Sequence, residues 1–467
     1  MHRKIHFVGI GGYGMSSLAR ILLEMGYEVT GSDMKDSPRL QQLGKLGAKV
    51  AVGHNVGNIG DADLVVVTNA VSQDNVEVVR AKELGIPVVS RAEFLGSLMK
   101  DRFSIAVTGS HGKTTTTAMI ATVLIDAGLD PTTLIGAEIS NLGIGARFGK
   151  SRYMVVEADE AYGSFLKMYP TIAVVTNVDN DHLDYYGNVE TLIQAFRTFL
   201  LNLPQDGCAV LCADDARLRE IMQDLPRRIV SFGLKQPVEF TADSISTLGF
   251  GSRFSVRRGS QELGSVSLNV PGLHNISNAL ACIAVSMELG IDFKKVASSL
   301  EGFRAAKRRC QLIDEVGGVM IVDDYAHHPT EIMATLAALR HGANRRILAV
   351  FQPQRYTRTG LLMYQFARAF SDADEIFITE IYSEGTGESP IPGVSGERLA
   401  QAVREYEKRE VFFSPNFSDL ISKILQIVKP GDLVVTMGAG DIWKAGLRLA
   451  EMLKRNRFSV RGNHSGI

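Results

Sequence analysis

The sequence predicts an α/β protein made of three successive α/β units. Three observations carry that expectation. Short apolar runs alternate with segments whose apolar positions recur at helical spacing, the alternation that builds parallel sheets covered by helices. Two glycine-bearing turns, at 9–14 and 109–112, each join such a run to a helical segment. The chain is 467 residues long, about three domains of ordinary size.

The first unit opens with a strand at 5–8. A helix over 15–25 follows, with Leu18, Ile21, Leu22 and Met25 on one face. Further strands are expected at 28–30, 64–68 and 88–90, the last after the Gly85-Ile86-Pro87 turn. Lys100-Asp101-Arg102 is a charged break, so the first domain is drawn as 1–102. The second, 103–310, starts with a buried strand at 104–107 and a helix over 115–127. Buried strands follow at 154–157, 172–176, 208–212 and 229–232. From 239 to 270 the pattern turns to short alternating strands with glycine turns, an antiparallel flap, and a helix over 275–289 closes the unit. The third domain, 311–467, has strands at 320–322, 347–350, 376–379 and 433–436. Its helices lie near 330–339, 361–370, 417–427 and 442–453, and a polar tail expected to fray follows from Arg455. Hinges are expected at 100–103 and 309–313.

Composition excludes several classes. With 45% hydrophobic and 22% charged residues the chain is an ordinary globular protein. A net charge of -1 gives no electrostatic case for nucleic acid or an anionic membrane. No apolar run approaches the ~18 residues of a membrane span and no signal peptide precedes Ile5, so a cytoplasmic protein is expected. Cys208, Cys212, Cys282 and Cys310 show no zinc spacing and read as buried free thiols.

The chemistry is concentrated at strand ends. Ala106-Val107-Thr108-Gly109-Ser110-His111-Gly112-Lys113-Thr114-Thr115-Thr116 is a phosphate cradle. Backbone N–H groups and a helix N-terminus face the phosphates, Lys113 adds a point charge, and the Thr114 hydroxyl suits Mg²⁺. The loop is a shortened form, with Val107 where a standard phosphate loop has its first glycine. Gly9-Ile10-Gly11-Gly12-Tyr13-Gly14, with Asp33 about 20 residues on, suits a pyrophosphate. A dinucleotide and a UDP-sugar both carry one. Glu157, followed by Ala158-Asp159-Glu160, ends a buried strand where a carboxylate can hold Mg²⁺. Asn177 ends the next strand, and Asp181-His182 lies in the acidic loop beyond it.

Asn275 and Asn278 share a helix face, and Asn275 is equally a helix cap. The basic stretch 304–309 is either a γ-phosphate clamp or a solvated linker. Asp323-Asp324-Tyr325-Ala326-His327-His328-Pro329 clusters polar groups between a strand and a helix. Arg355 and Arg358 have the spacing of a two-pronged carboxylate or phosphate clamp, or are two exposed arginines.

In this order the motifs resemble those of the Mur ligases, the ATP-dependent amino-acid ligases of peptidoglycan synthesis. The resemblance spans nearly the whole chain, and the last two motifs look most like the alanine-adding member. It implies a Rossmann-like UDP-binding domain, a phosphate-loop ATPase domain and a Rossmann-like C-terminal domain. It implies ATP and Mg²⁺ as cofactors, and UDP-N-acetylmuramate and L-alanine as substrates, joined through an acyl phosphate. The resemblance places UDP-sugar on Gly11, Gly12, Gly14, Met15, Ser16, Asp33 and His54. ATP falls to Gly109, Ser110, His111, Gly112, Lys113, Thr114, Thr115, Asn275, Asn278, Arg309 and Asp324, and metal to Thr114, Glu157 and His182. The amino acid falls to Tyr325, His327, Arg355 and Arg358. Lys113, His182, Arg309 and His327 are the implied catalytic residues, with His327 as candidate base.

Val178-Asp179-Asn180, Ala161-Tyr162-Gly163, Gly136-Ala137 and Cys310 depart from the family pattern. The stretch Ala195-Phe196-Arg197-Thr198 offers no lysine for the carbamylated metal bridge of some relatives. Three other readings compete. An NAD-dependent oxidoreductase explains the first turn but leaves Lys113-Thr114 and the third unit without a role. Folylpolyglutamate synthetase shares the short loop but lacks this first domain. A non-catalytic nucleotide-binding regulator leaves the metal ligands and arginines unused.

Overall fold

Among the described residues three sheets are formed, one for each expected unit. The computed structural model describes residues 4–68, 70–137, 145–342, 344–384 and 387–462, without the side chains of Leu248 and 456–462.

The first sheet is built from β1 (Lys4–Val8), β2 (Glu28–Asp33), β3 (Lys49–Val52), β4 (Leu64–Val67) and β5 (Val88–Ser90), in the order β3-β2-β1-β4-β5. Its four pairings are all parallel. The order reverses between β1 and β4, and the glycine turn leaves β1 at that switch point, where open α/β sheets bind ligands. Helices α1 (Tyr13–Glu24), α2 (Pro38–Lys45), α3 (Val76–Glu83) and α4 (Arg91–Lys100) cover it. β2 runs three residues beyond the expected 28–30, and Gly31 within it lets the turn pack close. A Cβ there would lie 2.6 Å from Ile10 Cδ1.

The second sheet has ten strands, ordered β15-β14-β13-β12-β11-β10-β6-β9-β7-β8. In chain order they are β6 (Phe103–Thr108), β7 (Thr132–Leu134), β8 (Ala146–Arg147), β9 (Tyr153–Glu157), β10 (Ile172–Val175), β11 (Cys208–Cys212), β12 (Arg228–Phe232), β13 (Phe240–Leu248), β14 (Gly251–Arg258) and β15 (Gln261–Leu268). The last three are linked by two residues each, which only antiparallel neighbours permit, so the expected flap is a meander. β6 lies between β9 and β10. Its register pairs Val107 with Glu157 and Thr108 with Val175, bringing three strand ends side by side.

Helix α5 (Lys113–Asp126) follows the loop and is buried on every side from Thr114 to Leu124. Burial all round replaces an amphipathic stripe, which suits a helix inside the fold. The helices α6 (Leu183–Tyr186), α7 (Val189–Leu201), α8 (Ala216–Met222), α9 (Leu273–Glu288) and α10 (Phe293–Gly302) complete this part. α9 starts two residues before Asn275, so Asn275 is not its cap. The Asn275 amide instead donates to the Pro271 carbonyl at 2.7 Å.

The third sheet is ordered β16-β17-β21-β18-β19-β20. It comprises β16 (Gln311–Val316), β17 (Val319–Asp324), β18 (Ile347–Phe351), β19 (Glu375–Thr379), β20 (Phe412–Ser414) and β21 (Leu433–Met437). β16 pairs antiparallel at the edge and the other pairings are parallel. One face packs under Leu336, Phe366 and Phe370, the other under Leu420, Ile424 and Leu449. Helices α11 (Pro329–Gly342), α12 (Tyr356–Leu361), α13 (Met363–Ala367), α14 (Gly396–Glu407), α15 (Phe417–Ile427) and α16 (Trp443–Gly462) flank it. The single helix expected over 361–370 is two short ones, broken at Leu362. The tail expected to fray is helical to Gly462, and 463–467 lie outside the described residues. All four cysteines are free, with Cys310 only half-buried.

Contacts divide the chain into two units. One holds Met1–Asp243, Ser255–Val266 and Ser277–Phe303, the other Ser244–Phe254, Ser267–Ile276 and Arg304–Ile467. Both sides of the expected hinge at 100–103 fall in the first unit. Before the hinge expected at 309–313, the chain passes from the first unit to the second at Phe303–Arg304.

Candidate active site

The phosphate loop is held by the strand end beside it. Ser110 N donates to the Asn177 carbonyl at 3.0 Å, His111 N to Asn177 Oδ1 at 2.9 Å, and Thr176 Oγ1 to the His111 carbonyl at 2.6 Å. His111 Nε2 lies 2.9 Å from Asp179 Oδ2. The approach is close enough to require glycine. A Cβ on Gly109, at φ 126°, would lie 2.2 Å from Thr176 Oγ1, and one on Gly112, at φ 84°, would lie 2.6 Å from Asn278 Oδ1. Asn278 therefore sits against the loop. Thr116 N makes the first backbone bond of α5, to Gly112, which leaves the N–H groups of Lys113, Thr114 and Thr115 at an open helix N-terminus.

Lys113 Nζ folds back onto its own loop. It donates to the Gly109 carbonyl at 2.7 Å, to the Ser110 carbonyl at 3.2 Å and to Glu160 Oε1 at 2.8 Å. Burial opposes its charge, but Glu160, Asp159 and Glu157 together hold the ammonium above the usual lysine range. Burial pushes the Glu160 carboxyl up, against the pull of Lys113.

The oxygen donors beside the loop fit a divalent cation. Thr114 Oγ1 donates to Glu157 Oε1 at 2.9 Å, and Gly136 N donates to Glu157 Oε2 at 2.7 Å. Asp159, Glu160 and His182 each bring a ligand atom within 4.8 Å of the others. Glu160 Oε2 is buried with no hydrogen-bond partner among the described residues. A hydroxyl, carboxylates and an orphaned carboxylate oxygen form the hard donor set that Mg²⁺ takes. The grouping differs from the expected trio. Thr114 meets Glu157, while His182 Nε2 lies 3.8 Å from Glu160 and 3.7 Å from Asp181. His182 is left-handed at φ 55°, a conformation found where a site over-determines the backbone.

The N-terminal turn is held differently. Gly11 N donates to Asp33 Oδ2 at 2.9 Å, and the Ser32 carbonyl accepts from Gly9 N and Ile10 N. Gly12 precedes α1, Gly14 lies in its first turn, and Ser16 Oγ bonds the Tyr13 carbonyl. The Met15 side chain is buried, so Met15 offers the turn only its backbone. Two guanidiniums flank the turn, and sequence reasoning missed both. Arg39 Nη1 donates to the Gly11 carbonyl at 3.1 Å, and a Cβ on Gly14 would lie 3.0 Å from Arg91 Nη1. Each comes from another helix, so no local motif marks it. A cavity of about 460 Å³ opens beside the turn, lined by Thr68, Val71, Ser90 and Tyr162 among others. His54 follows β3, with Nδ1 2.9 Å from Ser32 Oγ.

In the second unit Arg308, at φ 62°, ties three segments together. It reaches Asp323 Oδ2 at 2.9 Å and the carbonyls of Gly438 and Gly440 at 2.5 and 3.0 Å. Arg308 and Arg309 both lie over the Tyr325 ring, at 5.0 and 5.3 Å. Asp324 accepts from Cys310 N and Ala326 N, and burial pushes its carboxyl up to about 6. His327 Nδ1 lies 3.0 Å from the Tyr325 carbonyl, so Nδ1 carries the proton and Nε2 is the basic nitrogen. Arg355, at φ 68°, donates through Nε to Glu388 Oε1 at 2.6 Å, and Arg358 reaches Gln354 Oε1 at 3.2 Å. Glu388 also accepts from Thr357 N and Oγ1. It lies in a loop with no motif, so sequence reasoning missed it.

A lysine-bearing glycine loop beside carboxylates on a parallel sheet, a second glycine turn and a third α/β sheet are the parts a nucleotide-driven ligase needs. Comparison agrees. Residues 4–103 match the description "Mur ligase family, catalytic domain", 107–286 "Mur ligase middle domain" and 308–440 "Mur ligase, glutamate ligase domain". The chain belongs to the Mur ligase family and has its three-domain α/β fold. It is 46% identical over 451 residues to a UDP-N-acetylmuramate–L-alanine ligase of Geotalea daltonii, covering 97% of this chain and 98% of that one. The ligase of that name from Pelotomaculum thermopropionicum is 46% identical over 456 residues, with the same coverage. The crystal structure of UDP-N-acetylmuramate–alanine ligase from Thermotoga maritima superposes with a TM-score of 0.81 at 32% identity, over 97% of this chain and 100% of that one.

Proposed function

We infer that this protein ligates L-alanine to the lactyl carboxylate of UDP-N-acetylmuramate with hydrolysis of ATP, in peptidoglycan precursor synthesis. One observation carries the ATP half. Lys113 and the Thr114–Glu157 pair lie on one sheet edge, on a loop that a Cβ at Gly109 would block. The substrate half rests on 46% identity to alanine ligases along 97% of the chain.

A carboxylate is a poor electrophile, and phosphorylation gives it a leaving group. Transfer of the γ-phosphoryl needs charge neutralisation and in-line placement more than covalent chemistry. The N-terminus of α5, from Gly109 to Thr115, and Lys113 bind the phosphates, and ATP displaces the Lys113 ammonium from Glu160. Thr114, Glu157 and His182, with Glu160, would hold Mg²⁺, which when bound neutralises charge on the triphosphate. Asn275, Asn278 and Asp324 position the nucleotide, and Arg309 steadies the transferring phosphoryl group. Tyr325 and His327 bound the amine, and His327 Nε2 takes the proton that alanine must lose. Arg355 and Arg358 receive its carboxylate.

Gly11, Gly12, Gly14, Met15, Ser16, Asp33 and His54 seat the UDP-sugar, with Arg39 and Arg91 beside its pyrophosphate. The domains are assigned as 1–102, 103–310 and 311–467. No helix among the described residues is long and apolar enough to cross a membrane. We assign the protein to the cytoplasm on the strength of the proposed reaction, which uses ATP and a UDP-sugar. Phosphate release from ATP is the test, with UDP-N-acetylmuramate and each amino acid added in turn. Release should require both UDP-N-acetylmuramate and L-alanine. Release that ignores the UDP-sugar would overturn the reading.

A further inference from the structure

A buried carboxylate lies behind the first nucleotide turn without a role in the chemistry above. Glu77 is 0% exposed and sits in the first turn of α3. A carboxylate buried so deeply must be met by donors. Oε1 accepts from Asn55 N at 3.0 Å and from Asn58 Nδ2 at 2.6 Å. Oε2 accepts from Ser32 Oγ at 2.5 Å and lies 3.4 Å from His6 Nε2. These contacts already satisfy it.

Yet the network goes one step further, to His54. With its proton given to Glu77, Ser32 Oγ is left as an acceptor. His54 Nδ1, 2.9 Å from Ser32 Oγ and 3.3 Å from Glu77 Oε2, faces two acceptors and must carry the proton. His54 Nε2 makes no hydrogen bond among the described residues. Ser32 adjoins Asp33, which holds Gly11 N, so one strand end fixes both the glycine turn and this imidazole.

We propose that Glu77 is a positioning residue: through Ser32 it fixes His54 as the Nδ1–H tautomer, so that Nε2 meets the ligand as a hydrogen-bond acceptor. Its ligand partner is then a donor, the uracil imide N–H or a ribose hydroxyl, and not a phosphate oxygen. The proposal rests on the reading that His54 belongs to the UDP-sugar site.

Nitrogen-15 NMR of the whole enzyme at pH 8 reads the tautomer directly. The Nδ1–H form of His54 is expected, and the Nε2–H form overturns the proposal, whether or not any variant folds. In kinetics, Glu77→Gln should raise the KM for UDP-N-acetylmuramate about tenfold, with kcat and the KM for ATP within about twofold. His54→Ala should do the same, and the double variant should be no worse than either alone. If His54→Ala raises that KM and Glu77→Gln does not, the positioning role falls and the site reading stands. If His54→Ala changes nothing, the site reading of His54 falls with it.

Discussion

The glycine turns at 9–14 and 109–112 each join a strand to a helix, and they are held by opposite means. The loop at 109–112 is locked by a neighbouring strand end, through Thr176, Asn177 and Asp179. It carries its own cation, Lys113, and sits beside the carboxylates Glu157 and Glu160. The turn at 9–14 has no lysine and no acidic cluster. It is tied by Asp33, and its cations, Arg39 and Arg91, arrive from other helices. Both geometries favour an anion, because both place backbone N–H groups at a helix start. The surroundings decide which anion. Carboxylates that can share a metal suit a triphosphate about to lose its end. A turn flanked by two guanidiniums, with the one carboxylate of Asp33 engaged on Gly11 N, suits a diphosphate that is held and left intact.

Disabling the reacting turn should have the largest effect. Lys113→Ala and Glu157→Ala should each lower kcat for phosphate release by about 10³-fold or more, with far-ultraviolet circular dichroism unchanged. Turnover close to wild type in either variant would remove these residues from the chemistry. A smaller effect is expected in the third domain. Arg358→Lys should raise the KM for L-alanine about tenfold and that for ATP far less, since lysine cannot make a two-pronged contact. A rise for the UDP-sugar instead would move both arginines to the sugar or its lactyl group.

The smallest effect concerns the fold behind the first turn. Burial alone would raise the Glu77 carboxyl, but His6, Ser32, Asn55 and Asn58 overcome it and hold the group down to about 2, from an ordinary 4.5. The unfolded chain therefore binds more protons between those values. The stability this group contributes is present above about pH 4.5 and is lost as pH falls toward 2. The gap in melting temperature between wild type and Glu77→Gln should narrow from about pH 5 to about pH 3. A constant gap would mean that the network does not depend on the charge.

Much of this was legible because it is local. β6, the loop and α5 are adjacent in sequence, so the phosphate cradle could be read from eleven residues. The strand carrying Glu157 and the strand ending before Asn177 were visible as apolar runs. What joins them was not, because β6 lies between β9 and β10 only through parallel crossovers. Partners brought by such crossovers leave no spacing to read. Glu160 under Lys113, Arg91 beside Gly14 and Glu388 under Arg355 are of this kind. Helix α5 kept four consecutive threonines buried without a stripe, and the helix expected over 361–370 broke at Leu362. In both, tertiary packing decided what periodicity could not.

Calorimetry with two nucleotides tests the division of labour between the turns. Wild-type enzyme should bind UDP-N-acetylmuramate and ADP together, each at one site, with neither displacing the other. Gly109→Ala, whose Cβ would meet Thr176 Oγ1, should lose ADP and keep the UDP-sugar, and Gly11→Ala, whose Cβ would meet Asp33, should do the reverse. Mutual displacement in the wild type, or loss of both nucleotides from one substitution in a folded variant, would contradict the account.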